Sequence, residues 1–398
     1  MQQPTIYIVD DQPEVLETAV MVVHGVLPEA LVTGFTDPHK ALATIRSDPP
    51  RLVISDQIMP EMQGSELLEQ VRLAAPGTLR IMMSGYVSLD QLHAITSAHQ
   101  YVAKPFDALE LKELLRRTFA AQDRFSNRSL QLLVTSLRSL PSVPQVHHSL
   151  LSALEDNRGG STAIGQMISR DAGLSSKVLQ MANSPLFGRD YVVSKPADAV
   201  MCLGTKMIAA IVLSQSLFKH YQARRHPEMD LSRVWNHCWE TAALAQHYCR
   251  EQELPRTAGD EAFLAGLLHE TGRLILVDNF PDQFQSACDA ARQRNLPLTV
   301  TLAESFDTTP SQIAAYLLDL WGMPSEVVEA VAALDPAARQ NGNDFSLSSA
   351  LYVADQMAAR KTPPDQFPTS DWDADYLRSI GCAPEVEAWD RTAFTCAR

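Results

Sequence analysis

Residues 51–64 read RLVISDQIMPEMQG. The first half is a short apolar run ending on a carboxylate, Asp56, and the second is a turn-prone loop carrying Pro60 and Gly64. A buried strand that hands an acid to a loop is how parallel α/β sheets present chemistry, because their functional groups gather beyond the carboxyl ends of the strands. The pattern recurs at TIYIVD (5–10), ALVTGF (30–35), LRIMMS (79–84) and QYVAKP (100–105). Each run leads into an amphipathic segment opened by Pro, Asp, Ser or Gly, so the expected fold of this half is a doubly wound α/β sheet.

The strand ends then predict a site. Strand one ends in Asp10-Asp11, strand three in Asp56, strand four in Ser84 and strand five in Lys104-Pro105. Three carboxylates on one rim crowd negative charge that a hard cation relieves, and Mg²⁺ with oxygen ligands fits. One carboxylate can then attack a phosphoryl group while metal and lysine neutralise the charge on the transferring oxygens, and Asp56 is the candidate nucleophile. Any one of these residues alone reads as a strand-end cap; all together do not.

On these residues, with DQIMPEMQG (56–64, including Met59-Pro60 and Gly64), SGY (84–86) and YVAKPF (101–106), the first 122 residues resemble the flavodoxin-like receiver domain of two-component response regulators. The resemblance implies that Asp56 takes phosphate from a sensor histidine kinase. It implies further that Asp10, Asp11 and Asp56 hold Mg²⁺, that Lys104 contacts the phosphoryl group, and that Ser84 and Tyr101 form a switch pair.

The bulk composition sets the remaining bounds. A chain of 398 residues exceeds what one core usually accommodates, and 45% hydrophobic with 20% charged residues describes an ordinary globular protein of two domains. The longest apolar runs are too short to cross a bilayer and the N-terminus has no signal-peptide pattern, so a cytoplasmic location is expected, with no membrane partner. Six scattered cysteines (Cys202, Cys238, Cys249, Cys288, Cys382 and Cys396) form no CxxC pair and read as free thiols. A net charge of -14 argues against nucleic acid as a partner, and the short basic cluster Arg224-Arg225-His226 reads as a solvated loop.

From Asp107 a helical pattern runs without Gly or Pro to Pro141, which predicts that the last receiver helix continues through a connector at 123–139. Leu130, Leu133, Leu137 and Leu140 keep helical spacing, so that segment either pairs in a homodimer or packs on the next domain. Beyond Pro141 strand signals vanish, and residues 140–390 read as a large all-α domain with a short tail at 391–398.

This second region resembles the HDOD family, a divergent branch of the HD phosphohydrolases. The likeness lies in LPSVPQV (140–146), ISRDAGLSSKVLQMANSPLFG (168–188), WNHCWETA (235–242), AGLLHETGRL (265–274) and AAYLLDLWGMP (314–324). An HD metal site takes a His from one helix, a His-Asp pair from a second and an Asp from a third. The corresponding residues are His237, His269 with Glu270, and Asp355, so a glutamate stands where the family pattern has aspartate. Its extra methylene is expected to carry the oxygens outside the tolerance of a preorganised site. No histidine follows His269, and Pro310 and Ala333-Leu334 stand where two-metal relatives have histidines. His237 and His269 also read as hydrogen-bonded core residues.

The resulting expectation is a response regulator whose HDOD domain has no cofactor, catalyses nothing and binds a downstream signalling protein. The alternative is a phosphorylation-controlled, metal-dependent phosphohydrolase acting on a nucleotide or cyclic dinucleotide. The loop ANSPLFGRDY (182–191), with Leu186, Phe187 and Tyr191, is either a contact surface or a buried bend.

Overall fold

The computed structural model describes residues 3–84, 98–104, 108–137, 193–222, 229–339, 344–361 and 372–382, with isolated helical positions between 164 and 182. The loop at 183–191 and the LPSVPQV stretch lie outside the described residues. The chain divides into two compact units, Met1–Ser142 with Tyr316–Met323, and Val143–Ala315 with Pro324–Arg398.

In the first unit five parallel strands, β1 (Thr5–Val9), β2 (Leu31–Phe35), β3 (Leu52–Asp56), β4 (Leu79–Ser84) and β5 (Gln100–Ala103), form one sheet in the order β2-β1-β3-β4-β5. Alternation along the strands feeds two cores. Ile6, Ile8 and Ile54 enter one with Leu111 and Leu115; Tyr7, Val9 and Val53 enter the other with Leu67 and Val71. The helices α1 (Pro13–Val26), α2 (Pro38–Ser47), α3 (Gly64–Ala74) and α4 (Ala108–Arg124) complete the doubly wound arrangement expected from the sequence. Because β1 pairs with both β2 and β3, strand order reverses between β1 and β3. The crevice at that reversal opens beyond the carboxyl ends of the two strands that end in Asp10 and Asp56.

The connector departs from the expected unbroken helix. Helix α4 ends at Arg124, and a separate helix, α5 (Arg128–Ser136), begins after Asn127. Asn127 sits at φ −63°, ψ 116°, outside helical geometry, and its side chain accepts from the backbone N–H groups of Ser129 and Leu130. That is an N-cap: a short side chain satisfying donors that a continuous helix would bond internally. Of the regularly spaced leucines, Leu130 and Leu137 are buried, Leu133 is half-buried and Leu140 lies outside the described residues. Two side chains hold the far end of α5. Arg80, on β4 and fully buried, donates to the carbonyls of Thr135 (2.7 Å) and Thr78 (3.2 Å). His99, just before β5, accepts the Arg80 backbone N–H through Nδ1 at 3.0 Å and also bonds the Val134 backbone.

The described part of the second unit is helical throughout. Its elements are α6 (Pro196–Leu203), α7 (Thr205–Gln222), α8 (Leu231–Glu251), α9 (Arg256–Leu268), α10 (Thr271–Asn279), α11 (Pro281–Arg294), α12 (Leu298–Phe306), the part of α13 (Pro310–Leu320) up to Ala315, α14 (Ser325–Ala332), α15 (Leu347–Lys361) and α16 (Ala374–Ser379). Among the described residues no single helix is long and apolar enough to cross a membrane. Helices α8 and α9 meet where Gly266 faces Ala242, and a Cβ on Gly266 would lie 2.4 Å from the Ala242 Cα. A residue without a side chain is thus what lets these two backbones touch.

Candidate functional site

At the sheet crevice, β1 delivers Asp10 and Asp11, and β3 ends on Asp56. The loop after β3 is fixed by its own backbone. Glu61 adopts φ 68°, and Gly64 approaches so closely that a Cβ there would stand 1.9 Å from the Asp56 carbonyl oxygen. The turn brings the Ile58 N–H to 2.7 Å from Asp56 Oδ2, so one carboxylate oxygen is held by backbone. Asp10 is held likewise by the Gln12 N–H at 3.0 Å. Lys104, following β5, bridges the two acids: its Nζ lies 2.6 Å from Asp10 Oδ2 and also pairs with Asp56 Oδ1.

Both acids are buried, at 0% and 4% exposure. Burial raises the Asp56 pKa above the ordinary carboxylate value, with Lys104 pulling the other way. Lys104 is lowered by burial but raised more by Asp10 and Asp56, so its ammonium is the stable form. Asp11 Oδ1 is buried with no hydrogen-bond partner among the described residues. An orphaned carboxylate oxygen beside two further acids is the donor set a hard divalent cation uses, and these residues therefore fit Mg²⁺. Of the switch pair, Ser84 is the last residue of β4, and its side chain lies outside the described residues. Tyr101 packs half-buried against the core cluster that holds Val53 and Met82, and burial raises its phenol pKa.

In the second unit four residues from three distant stretches of the sequence meet. His237 comes from α8, His269 caps the end of α9, Glu270 opens α10, and Asp355 comes from α15. His237 Nε2 lies 3.0 Å from Asp355 Oδ1 and 3.2 Å from His269 Nε2. His269 Nε2 is 3.4 Å from Asp355 Oδ1 and 3.6 Å from Glu270 Oε1. The close approach of α8 and α9 at Gly266 sets the first of these meetings. Glu270 Oε1 stands with the two imidazoles in one group of possible donors. The chain turns between α9 and α10 at Glu270 (φ −83°, ψ 0°), and Arg273 Nε holds the other carboxylate oxygen at 2.9 Å. Although burial opposes it, the two histidines hold the Asp355 carboxyl well below the usual carboxylate range. Burial lowers the His269 pKa, but Asp355 and Glu270 raise it further, and the net shift is upward.

Residues 6–116 match the response regulator receiver domain, and residues 140–336 match the HDOD domain. The chain is therefore a receiver domain followed by a C-terminal HDOD domain, an architecture of signalling response regulators. An uncharacterized protein of Treponema pallidum is 24% identical over 243 residues, covering 56% of this chain and 46% of that one. The DNA-binding transcriptional regulator NtrC of Salmonella typhimurium is 31% identical over 131 residues, covering 30% of this chain and 26% of that protein. The chain thus spans less than half the length of either relative. An HDOD domain protein of unknown function from Geobacter sulfurreducens superposes with a TM-score of 0.53 at 17% identity, covering 71% of this chain and 96% of that one, a likeness of fold.

Two contributors were absent from the sequence reading. Arg273 follows Glu270 by one helical turn, and that spacing could have suggested the pair. The Arg80–His99 grip on α5 left no such signal, because its acceptors are backbone carbonyls.

Proposed function

We propose that the protein is a phosphorylation-controlled response regulator of the cytoplasm, in which a sensor histidine kinase phosphorylates Asp56 and the receiver thereby governs a non-catalytic HDOD domain that binds a downstream signalling protein. The observation that carries this reading is the Asp10–Lys104–Asp56 bridge beside the orphaned Asp11 oxygen. An Asp56 oxygen attacks phosphorus, the bond from phosphorus to the kinase imidazole breaks, and the imidazole leaves with the electron pair. Lys104 stands where charge accumulates on the transferring oxygens. Mg²⁺ on Asp10, Asp11 and Asp56 would neutralise the remainder. The test is labelling with acetyl phosphate and Mg²⁺: wild type acquires one phosphoryl group and Asp56→Asn none. Labelling that persists in the variant overturns the assignment.

A second reading, a phosphohydrolase, is favoured by the grouping of His237, His269 and Glu270, with Asp355 beside the two imidazoles. Turnover of a nucleotide or cyclic dinucleotide in Mn²⁺ that disappears in His269→Ala would establish it.

A further inference from the structure

Strands β4 and β5 carry a different load at each end. At their carboxyl ends Ser84 closes β4 and Lys104 follows β5, where its Nζ bridges Asp10 and Asp56. At their amino ends Arg80 and His99 hold α5, through the Thr135 carbonyl and the Val134 backbone. Along β4 the step from Arg80 to Ser84 is only about 13 Å.

Tyr101 lies between the two ends. It pairs in register with Met82 and packs against the core cluster that contains Met82. Alternation puts Arg80 on that same face of β4, and His99 on the same face of β5 as Tyr101. The contact between the first two agrees, with His99 Nε2 3.5 Å from a terminal nitrogen of Arg80. Arg80 and Tyr101 are then diagonal neighbours on adjacent strands, a spacing that aromatic and long side chains span. Burial raises the Tyr101 phenol pKa while the Arg80 charge pulls it down, so the two groups sense each other.

The hold on α5 is one that a small displacement can loosen. Arg80 is fully buried, and its charge is maintained there by the acceptors around it. Of the two carbonyls it bonds, the nearer, at 2.7 Å, is Thr135 of α5, and the other, at 3.2 Å, is Thr78 of the receiver itself. Helix α5 has 9 residues, a length that does not persist in water without packing.

We propose that Arg80 is a positioning residue that couples the phosphorylation site to α5: a change at Asp56 that displaces Tyr101 alters the hold of the guanidinium on the Thr135 carbonyl, and α5 loosens from the receiver. This deepens the function proposed above, on whose phosphorylation of Asp56 it rests, by making α5 the element of the receiver that responds.

The probe is beryllofluoride with Mg²⁺, a mimic of the phosphoryl group on a carboxylate, added to the full chain. Amide exchange at Ile58, whose N–H bonds Asp56 Oδ2, reports the site, and exchange across residues 128–137 reports α5. In wild type the Ile58 amide is expected to respond and residues 128–137 to exchange about tenfold faster. In Arg80→Met the Ile58 response should remain, while residues 128–137 exchange fast with or without the probe. Arg80→Lys, which has the charge but not the planar fork, should recover part of the difference.

A side chain that merely held α5 in place would leave the site indifferent to the helix, whereas coupling acts in both directions. Asn127→Ala, which loosens α5 and leaves the sheet untouched, should therefore tighten beryllofluoride roughly fivefold, and should not do so when added to Arg80→Met. The single variant gives its answer even where the Arg80 variants fail to fold. An Ile58 amide that ignores the probe in wild type overturns phosphorylation of Asp56 and the coupling with it. A response at Ile58 with unchanged exchange at 128–137, or an affinity unmoved by Asn127→Ala, overturns the coupling alone. A difference at 128–137 that persists in Arg80→Met overturns the role of Arg80.

Discussion

Asp56 is a buried carboxylate and Asp355 a half-buried one, and their surroundings push them in opposite directions. Burial dominates at Asp56 and raises its pKa, so its charged form is held at a cost to the fold. Replacing it with the neutral isostere Asn is expected to stabilise the Mg²⁺-free protein by roughly 1 kcal/mol at neutral pH. A raised native pKa means the wild-type deficit develops as pH rises through that pKa, so the gap between the two melting curves should close in acid. Equal gaps at both pH values would contradict the assignment. At Asp355 the two histidines prevail and the pKa falls. Its stabilisation is present above the ordinary carboxylate range and is lost as pH falls toward the depressed native value. In chelator-treated protein Asp355→Asn should cost about 3 kcal/mol, because it leaves two buried imidazoles without their anion. Denaturant melts showing a loss under about 1 kcal/mol would mean that the pair contributes little. The receiver acids were legible because strand ends are readable and a parallel sheet brings them together. The reach of Glu270 was not, since it depends on a backbone turn between two helices that spacing alone does not reveal.

At the scale of elements, strand order and helix positions follow closely from alternation and turn residues, whereas the connector does not. Helix formers and regular leucines flank Phe125-Ser126-Asn127, and they outweighed a cap signal one residue wide. Asn127 competes with helix continuation by offering its side-chain oxygen to Ser129 and Leu130, at 2.8 Å and 3.2 Å. Asn127→Ala is therefore expected to destabilise α5 by about 1 kcal/mol. Faster amide exchange confined to residues 128–137 is the measurement that reads it, and unchanged exchange there would show that α5 is held without its cap.

For the molecule as a whole, the break matters because rigid transmission needs an uninterrupted element. A rotation at α4 is not carried through the cap at Asn127 as it would be through a single helix. Coupling between phosphorylation and the HDOD domain then requires contacts that differ between two states rather than a rod. Inserting Gly-Ser between Ser126 and Asn127 should leave phosphorylation of Asp56 intact and preserve most of the hydrogen-exchange response across residues 229–339. Loss of that response on insertion would restore the rod.

The grip of Arg80 and His99 on α5 also decides where the chain can be divided. A fragment ending at residue 122, where the receiver pattern stops in the sequence, removes the Thr135 carbonyl that a fully buried guanidinium bonds and the Val134 backbone that His99 bonds. The cation then keeps the Thr78 carbonyl but loses the nearer of its two carbonyl acceptors, at a cost of about 1–3 kcal/mol from the unsatisfied group alone. A fragment of residues 1–137 is expected to melt cooperatively at a clearly higher temperature than one of 1–122. The smallest portable version of this receiver is thus longer than its catalytic motifs, and any chimera that borrows it has to carry α5 as part of the cargo.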